Sequence, residues 1–109
     1  MATFDDFLGE LKKEIVAFAE ADWKKFKNAA VSDGTAFVQK LKTDLEVWTA
    51  ELARGAISQK DFEWLVAGKQ DLAELEALKQ AGLAEARLQD FVDGLVNVVV
   101  NTAVKVFLV

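Results

Sequence analysis

Few side chains in this sequence of 109 residues could do chemistry, because it contains no histidine and no cysteine. Histidine is the commonest general base at neutral pH, and histidine and cysteine together dominate zinc sites. The composition therefore excludes a Ser-His-Asp or Cys-His arrangement and any thiolate metal site. Ser58 with Lys60 would permit a Ser-Lys pair, but Ser58 stands where a helix is predicted to begin and is interpreted as its cap.

Three pairs of acidic residues have the spacing of neighbours on one face of a helix. A carboxylate metal centre in a helical bundle normally combines such acids with histidine in a Glu-x-x-His motif, which this sequence cannot supply. We therefore interpret the pairs as solvated surface and expect no metal, no cofactor and no enzymatic activity. The pairs are Glu10 with Glu14, Asp71 with Glu74, and Asp90 with Asp93.

The composition is that of one globular domain, with 52% hydrophobic and 28% charged residues. The formal net charge of -5 disfavours binding to a phosphate backbone, so no nucleic-acid partner is expected. The first residues, Met-Ala-Thr-Phe-Asp-Asp, lack the basic start and apolar core of a signal peptide. Together with the absence of cysteine, this favours a cytoplasmic location.

Helical periodicity dominates the chain, and no proline interrupts it. The sequence predicts one all-α domain over 1–109, an up-and-down antiparallel four-helix arrangement that oligomerisation could complete. A turn is predicted at 31–34, and the segment 83–89 is left open between a linker and a helical continuation. The predicted helices run from about 4–30, 35–54, 58–81 and 90–108.

Several helix ends carry local signals. Thr3 is a predicted N-cap, and Ser58 with Asp61 forms a capping-box pattern. Gly55 stands where a left-handed residue belongs after a helix, and Gly82 does so within a Schellman pattern. Asp90 is predicted to cap the last helix, and Gly68, inside the third, is expected to allow close approach of a neighbouring helix.

Asp22 is the one acid that falls at the centre of the first helix's apolar stripe, between Phe18 and Phe26. A carboxylate in the core needs a partner or water. Either the stripe leaves the core near this point and Asp22 is hydrated, or Asp22 is a buried, paired group that fixes the register of the packing. It is kept as the candidate buried polar residue.

The C-terminal segment is unusually apolar and contains three successive valines at 98–100. Its polar residues recur every four positions from Asp93 to Lys105, which favours a helix over a strand. As a helix it has an apolar arc of about 200°, wider than a simple surface helix needs. It could be a central helix of the monomer or a helix shared with an oligomer interface. One aspartate, one lysine and two asparagines among the apolar residues disfavour a membrane span, because each charge costs more on insertion than several apolar residues return.

The sequence predicts a non-enzymatic protein that acts through self-association or binding to another protein, with the C-terminal helix as the main contact. The alternative is binding of lipid or an apolar ligand by the bundle, or peripheral membrane association; the Lys-poor polar face disfavours the last. Tryptophans and the apolar arc provide the interface candidates. These are Trp23, Trp64, Phe91, Leu95, Val98, Val99, Thr102, Val106 and Val109.

Overall fold

The computed structural model describes residues 2–108 and confirms that this part of the chain is all-helical. Six α-helices replace the four predicted segments, and two short 3-10 turns, Lys24–Phe26 and Leu72–Glu74, lie between them. The helices are α1 (Phe4–Asp22), α2 (Lys27–Lys40), α3 (Lys42–Ala53), α4 (Gln59–Ala67), α5 (Glu76–Gln80) and α6 (Glu85–Phe107).

The first two predicted helices break at different places from those expected. The prediction of one helix over 4–30 was wrong, because the backbone leaves the helical region at Trp23, whose side chain is buried. The predicted turn at 31–34 was also wrong, since these residues lie inside α2. The break comes instead at Leu41, another fully buried side chain, so the predicted helix over 35–54 is divided between α2 and α3.

The third predicted helix, 58–81, is also divided. After α4 ends, the Asp71 carboxylate accepts a hydrogen bond from the Ala73 N–H at 3.0 Å and starts the second 3-10 turn. The chain becomes helical again only in the short α5. The last helix begins at Glu85 rather than near 90, so most of the open segment 83–89 is helix. Asp90 consequently lies inside α6, and its predicted role as a cap was wrong.

The local end signals are confirmed at four helix ends. Thr3 and Ser58 each accept a hydrogen bond from the N–H of an aspartate three residues later, which completes two capping boxes. Gly55 and Gly82 have positive φ angles of 78° and 96°. After α5, the Leu83 N–H donates to the Leu78 carbonyl at 3.2 Å, the long bond of a Schellman motif.

Helix α6 is the central element of the fold. It packs against α1, α3 and α4, so a single surface position does not have to cover its wide apolar arc. The structure thus agrees with the first of the two alternatives for the C-terminal segment, a central helix of the monomer. Nine of its residues are buried: Leu88, Phe91, Val92, Leu95, Val96, Val99, Val100, Thr102 and Ala103.

Two glycines allow α1 to lie close to its neighbours. A Cβ atom at Gly94 of α6 would stand 2.8 Å from the Phe18 ring, and one at Gly34 of α2 would stand 3.0 Å from Ile15. The close approach expected at Gly68 was wrong. That glycine is exposed at the end of α4, and only carbonyl oxygens of α4 itself would surround a Cβ there.

The same substitution at two helical glycines should therefore change stability in opposite directions. Gly9→Ala in α1 meets no neighbouring atom within 4 Å and should raise the free energy of unfolding by about 1 kcal/mol, since alanine favours helix. Gly94→Ala should lower it by about 1–2 kcal/mol, because the new methyl group would displace the Phe18 ring from its contact with the buried Phe91 ring. Urea unfolding followed by circular dichroism measures both, and two shifts of the same sign would contradict the close α1–α6 contact.

Candidate functional site

Most of the interface candidates lie in the core of the monomer. Trp23 is 6% exposed, and its ring meets the fully buried Phe91 edge-on, with 5.4 Å between the ring centroids. Arg87 covers the Trp23 ring at 4.9 Å. Leu95, Val99 and Thr102 are also buried. Five of the interface candidates are therefore not surface groups in the monomer: Trp23, Phe91, Leu95, Val99 and Thr102.

The remaining candidates differ in position. Val98 and Val106 are half-buried, whereas Trp64 is 76% exposed. The Trp64 side chain projects from the face of α4 opposite the buried Phe62 and Val66, as helical spacing requires. Val109 lies outside the described residues.

Asp33, rather than Asp22, is the buried carboxylate. Asp22 is exposed at the end of α1, so its candidacy as a buried polar group was wrong. Asp33 is only 5% exposed and accepts hydrogen bonds from the backbone N–H groups of Ala77 at 3.1 Å and Leu78 at 2.8 Å. Asp33 on α2 thus caps the N-terminus of α5. The N-cap residue of α5 itself is Leu75, whose side chain cannot accept a hydrogen bond.

Asp33 was not predicted to be a buried cap, because residues 31–34 were predicted to form a turn. Once the residues are placed in a helix, Asp33 falls on the same face as the buried Ala30 and Phe37. A polar residue on that face was the available signal, but only the fold shows that its partners lie 44 and 45 positions away.

Each of the three acidic pairs has at least one member in a structural contact. Lys105 lies 3.1 Å from Glu10 and 3.7 Å from Glu14, and its hydrogen bond holds the pKa of the Glu10 carboxyl below the ordinary value. The same bond raises the pKa of Lys105. Glu74 pairs with Lys40 at 2.7 Å.

Asp93, from the third pair, accepts hydrogen bonds from the side-chain amides of Gln70 at 3.3 Å and Gln89 at 2.9 Å. The contact links the chain after α4 to α6. Within residues 2–108, no three side chains of the metal-binding types are grouped so as to hold a metal ion. The contacts of Glu10, Glu74 and Asp93 each join two segments that are distant in the sequence.

One surface feature is a cleft of about 540 Å³, which we call the end cleft. It opens where the start of α1, one face of α3 and the last turn of α6 meet. Phe4, Val106 and Phe107 supply its large apolar groups, and the small side chains of Ala50 and Ala53 leave room beside α3. The lining is completed by Ala2, Glu46 and Thr49.

Aromatic contacts shape one wall of the end cleft. The Phe7 ring is fully buried and lies 5.9 Å from the Phe4 ring and 5.8 Å from the Phe107 ring, centroid to centroid. Phe4 and Phe107 are thereby anchored to the core while part of each stays accessible. Leu108, immediately after Phe107, is 47% exposed and extends the apolar surface beyond the cleft.

The polar groups of the end cleft are few. The Thr49 hydroxyl donates to the Leu45 carbonyl of its own helix at 2.7 Å, so its hydrogen is already used. Glu46 is exposed, and no lysine or arginine among the described residues lies within 4.0 Å of its carboxylate. The site can therefore exclude water from an apolar group and present one carboxylate beside it.

A smaller groove of about 270 Å³ lies between α1 and α2. It is lined by Leu8, Gly9, Leu11, Lys12, Ile15, Thr35, Val38 and Gln39. Leu11, Ile15 and Val38 belong to the buried core, so this groove is a shallow recess above packed side chains.

No protein-family model matches this sequence, and comparisons with curated proteins and with solved structures find no match either. None of the helices in the described part of the chain has the length and apolar character needed to cross a membrane. A functional proposal for this chain therefore depends on its own residues.

Proposed function

We propose that this chain is a non-catalytic binding module that holds an apolar segment of another protein in the end cleft. The observation that carries the proposal is the cleft itself, an accessible apolar recess with anchored aromatic walls at Phe4 and Phe107. Its volume of about 540 Å³ lies within the range of 300–1,000 Å³ that is usual for ligand sites.

The proposal narrows the contact that was expected from the sequence. Much of the apolar arc of α6 is covered by the monomer's own packing, so the part of α6 that we propose for a partner is its last turn, with Val106 and Phe107. Trp64 offers a separate exposed aromatic group of the type enriched at binding hot spots. It could contribute to a second contact.

The alternative, an apolar small molecule or lipid chain, would use the same cleft. Phe7, Phe62 and Phe91 are fully buried in one continuous core rather than lining an internal cavity. A ligand-binding role therefore depends on the open cleft as well. A cytoplasmic location, completion by oligomerisation and the up-and-down antiparallel order of the long helices are kept as proposals.

Filling the cleft with a polar side chain should weaken binding of an apolar peptide. The probe is a helical alanine-based peptide with leucines on one face, titrated into labelled protein and followed through amide shifts by NMR. Ala50→Gln places a longer polar group in the lining and should weaken binding about tenfold, or about 1.4 kcal/mol.

The matched control is Ala17→Gln, the same substitution at an exposed position of α1 outside the cleft. It should leave the affinity unchanged, and both variants should keep the unfolding transition of the parent protein. Absence of peptide binding at millimolar concentration, or equal weakening by both variants, would contradict the proposal. Saturable binding of a free fatty acid in place of the peptide would favour the small-ligand alternative.

A further inference from the structure

We propose that the segment bound by the end cleft is cationic as well as apolar: an amphipathic segment whose lysine or arginine pairs with Glu46. This inference depends on the proposed function, since it specifies the partner of the same cleft. It follows from the charges around the cleft rather than from its apolar walls.

Glu46 is the first of these charges. It supplies the only charged side chain in the cleft lining formed by residues 2–108. Lys42 lies one turn before it on α3 and Arg54 directly follows the end of that helix, but both are outside the lining. A partner cation beside Glu46 would be partly shielded from water by Phe107 and Val106, where a charge pair is stronger than on an open surface.

The end of α6 supplies a partial negative charge. The helix ends at Phe107, so the carbonyl groups of its last turn form the negative end of the helix dipole beside the cleft. Lys105 is the basic residue of this turn, but its ammonium group is directed to Glu10 and Glu14 on α1. Because Lys105 pairs with α1, the carbonyl groups at the end of α6 are accessible to a cation from a partner.

The wider field favours the same partner. Asp5 lies in the first turn of α1 beside Phe4, and the chain as a whole has a net charge of -5. Such a field attracts a cationic segment and speeds its association. Anionic lipid headgroups would be disfavoured beside Glu46, and a second copy of this chain, with the same net charge, is a weaker candidate for this cleft than a cationic segment.

Two peptides with identical leucine positions test the proposal, one with lysines and one with glutamates beside the apolar face. The lysine peptide should bind at least tenfold more tightly in low salt, and the difference should shrink as salt is raised. Glu46→Gln should weaken binding of the lysine peptide about fivefold and leave the glutamate peptide unaffected. Glu63→Gln is the matched control, since Glu63 is an exposed glutamate of α4 outside the lining.

The outcomes separate the two proposals. If both peptides bind equally and Glu46→Gln changes neither affinity, the cationic partner is ruled out while the binding module stands. If neither peptide binds, the proposed function fails and this inference fails with it. A dimer seen by light scattering that Ala50→Gln dissociates, or retention on anionic vesicles that Ala50→Gln abolishes, would assign the cleft to a different occupant and overturn the inference.

Discussion

Phe91→Ala is expected to lower the free energy of unfolding by about 3–5 kcal/mol, the range for removal of a fully buried phenylalanine. The Phe91 ring lies between α1 and the Trp23 turn, with the Phe18 centroid at 5.6 Å and the Trp23 centroid at 5.4 Å. The substitution would remove both aromatic contacts and leave a cavity that the surrounding helices can fill only in part. Urea unfolding monitored by tryptophan fluorescence and circular dichroism measures the loss.

Trp64→Ala is the matched control for this prediction. It also removes a large aromatic side chain from the middle of a helix, but from a solvent-exposed position, so stability should change by no more than about 0.5 kcal/mol. Because a domain of this size has only about 5–15 kcal/mol of stability, Phe91→Leu provides a milder second variant.

The two interpretations of α6 predict different behaviour for Phe91→Ala. If Phe91 is a core residue, the loss of stability should not depend on protein concentration. If Phe91 belongs to a subunit interface, the parent's unfolding midpoint should rise with protein concentration, and the variant should lose that dependence. The second result would contradict the burial of Phe91 within one monomer.

The features that the sequence predicted correctly depend on residues close together in the chain. The capping boxes at Thr3 and Ser58 join residues three positions apart, and the Schellman motif around Gly82 spans six residues. Local geometry specifies these ends, so their patterns are readable without knowledge of the fold.

The helix breaks at Trp23 and Leu41 were not predictable in the same way. Neither position has a proline or glycine, and both side chains are buried in the core. The chain turns there because its apolar groups pack against other helices, and tertiary packing outweighs weak helix propensity. The wide apolar arc of α6 likewise indicates that several neighbours are needed but not whether they belong to the same chain.

The end cleft could not be predicted from the sequence, because it too depends on tertiary packing. Its walls come from the first residues, from α3 and from the last turn of α6, which are separated by most of the chain. The sequence predicted Val106 as an interface residue, but the space beside it depends on Ala50 and Ala53. Alanine is common in helices, so these two residues do not indicate a cleft by themselves. Only the packing of α1, α3 and α6 makes these alanines part of a site.

Asp33→Ala is the second substitution with a large expected effect, a loss of about 3 kcal/mol in the free energy of unfolding. A hydrogen bond to a charged group contributes about 1.5–3 kcal/mol, and Asp33 makes two of them to backbone N–H groups of α5. The substitution removes both and leaves the Leu78 N–H buried without this acceptor. Because α5 has only five residues, it depends on this cap more than a long helix would.

Two further variants distinguish capping from general damage. Asp33→Asn keeps one acceptor oxygen but turns an amide group towards the second N–H, so its loss should lie between those of the parent and the alanine variant. Asp22→Ala removes an exposed carboxylate from the C-terminal end of α1 and should be neutral or slightly stabilising.

Hydrogen exchange then locates the effect of Asp33→Ala. The amides of Ala77 and Leu78 should exchange faster under conditions in which those at the centre of α6 remain protected, because α5 would open locally without its cap. A uniform loss of protection across all helices would show that Asp33 supports the whole core rather than α5. Unchanged exchange at both amides would contradict the two hydrogen bonds, and with them the role of α2 in holding α5 against the bundle.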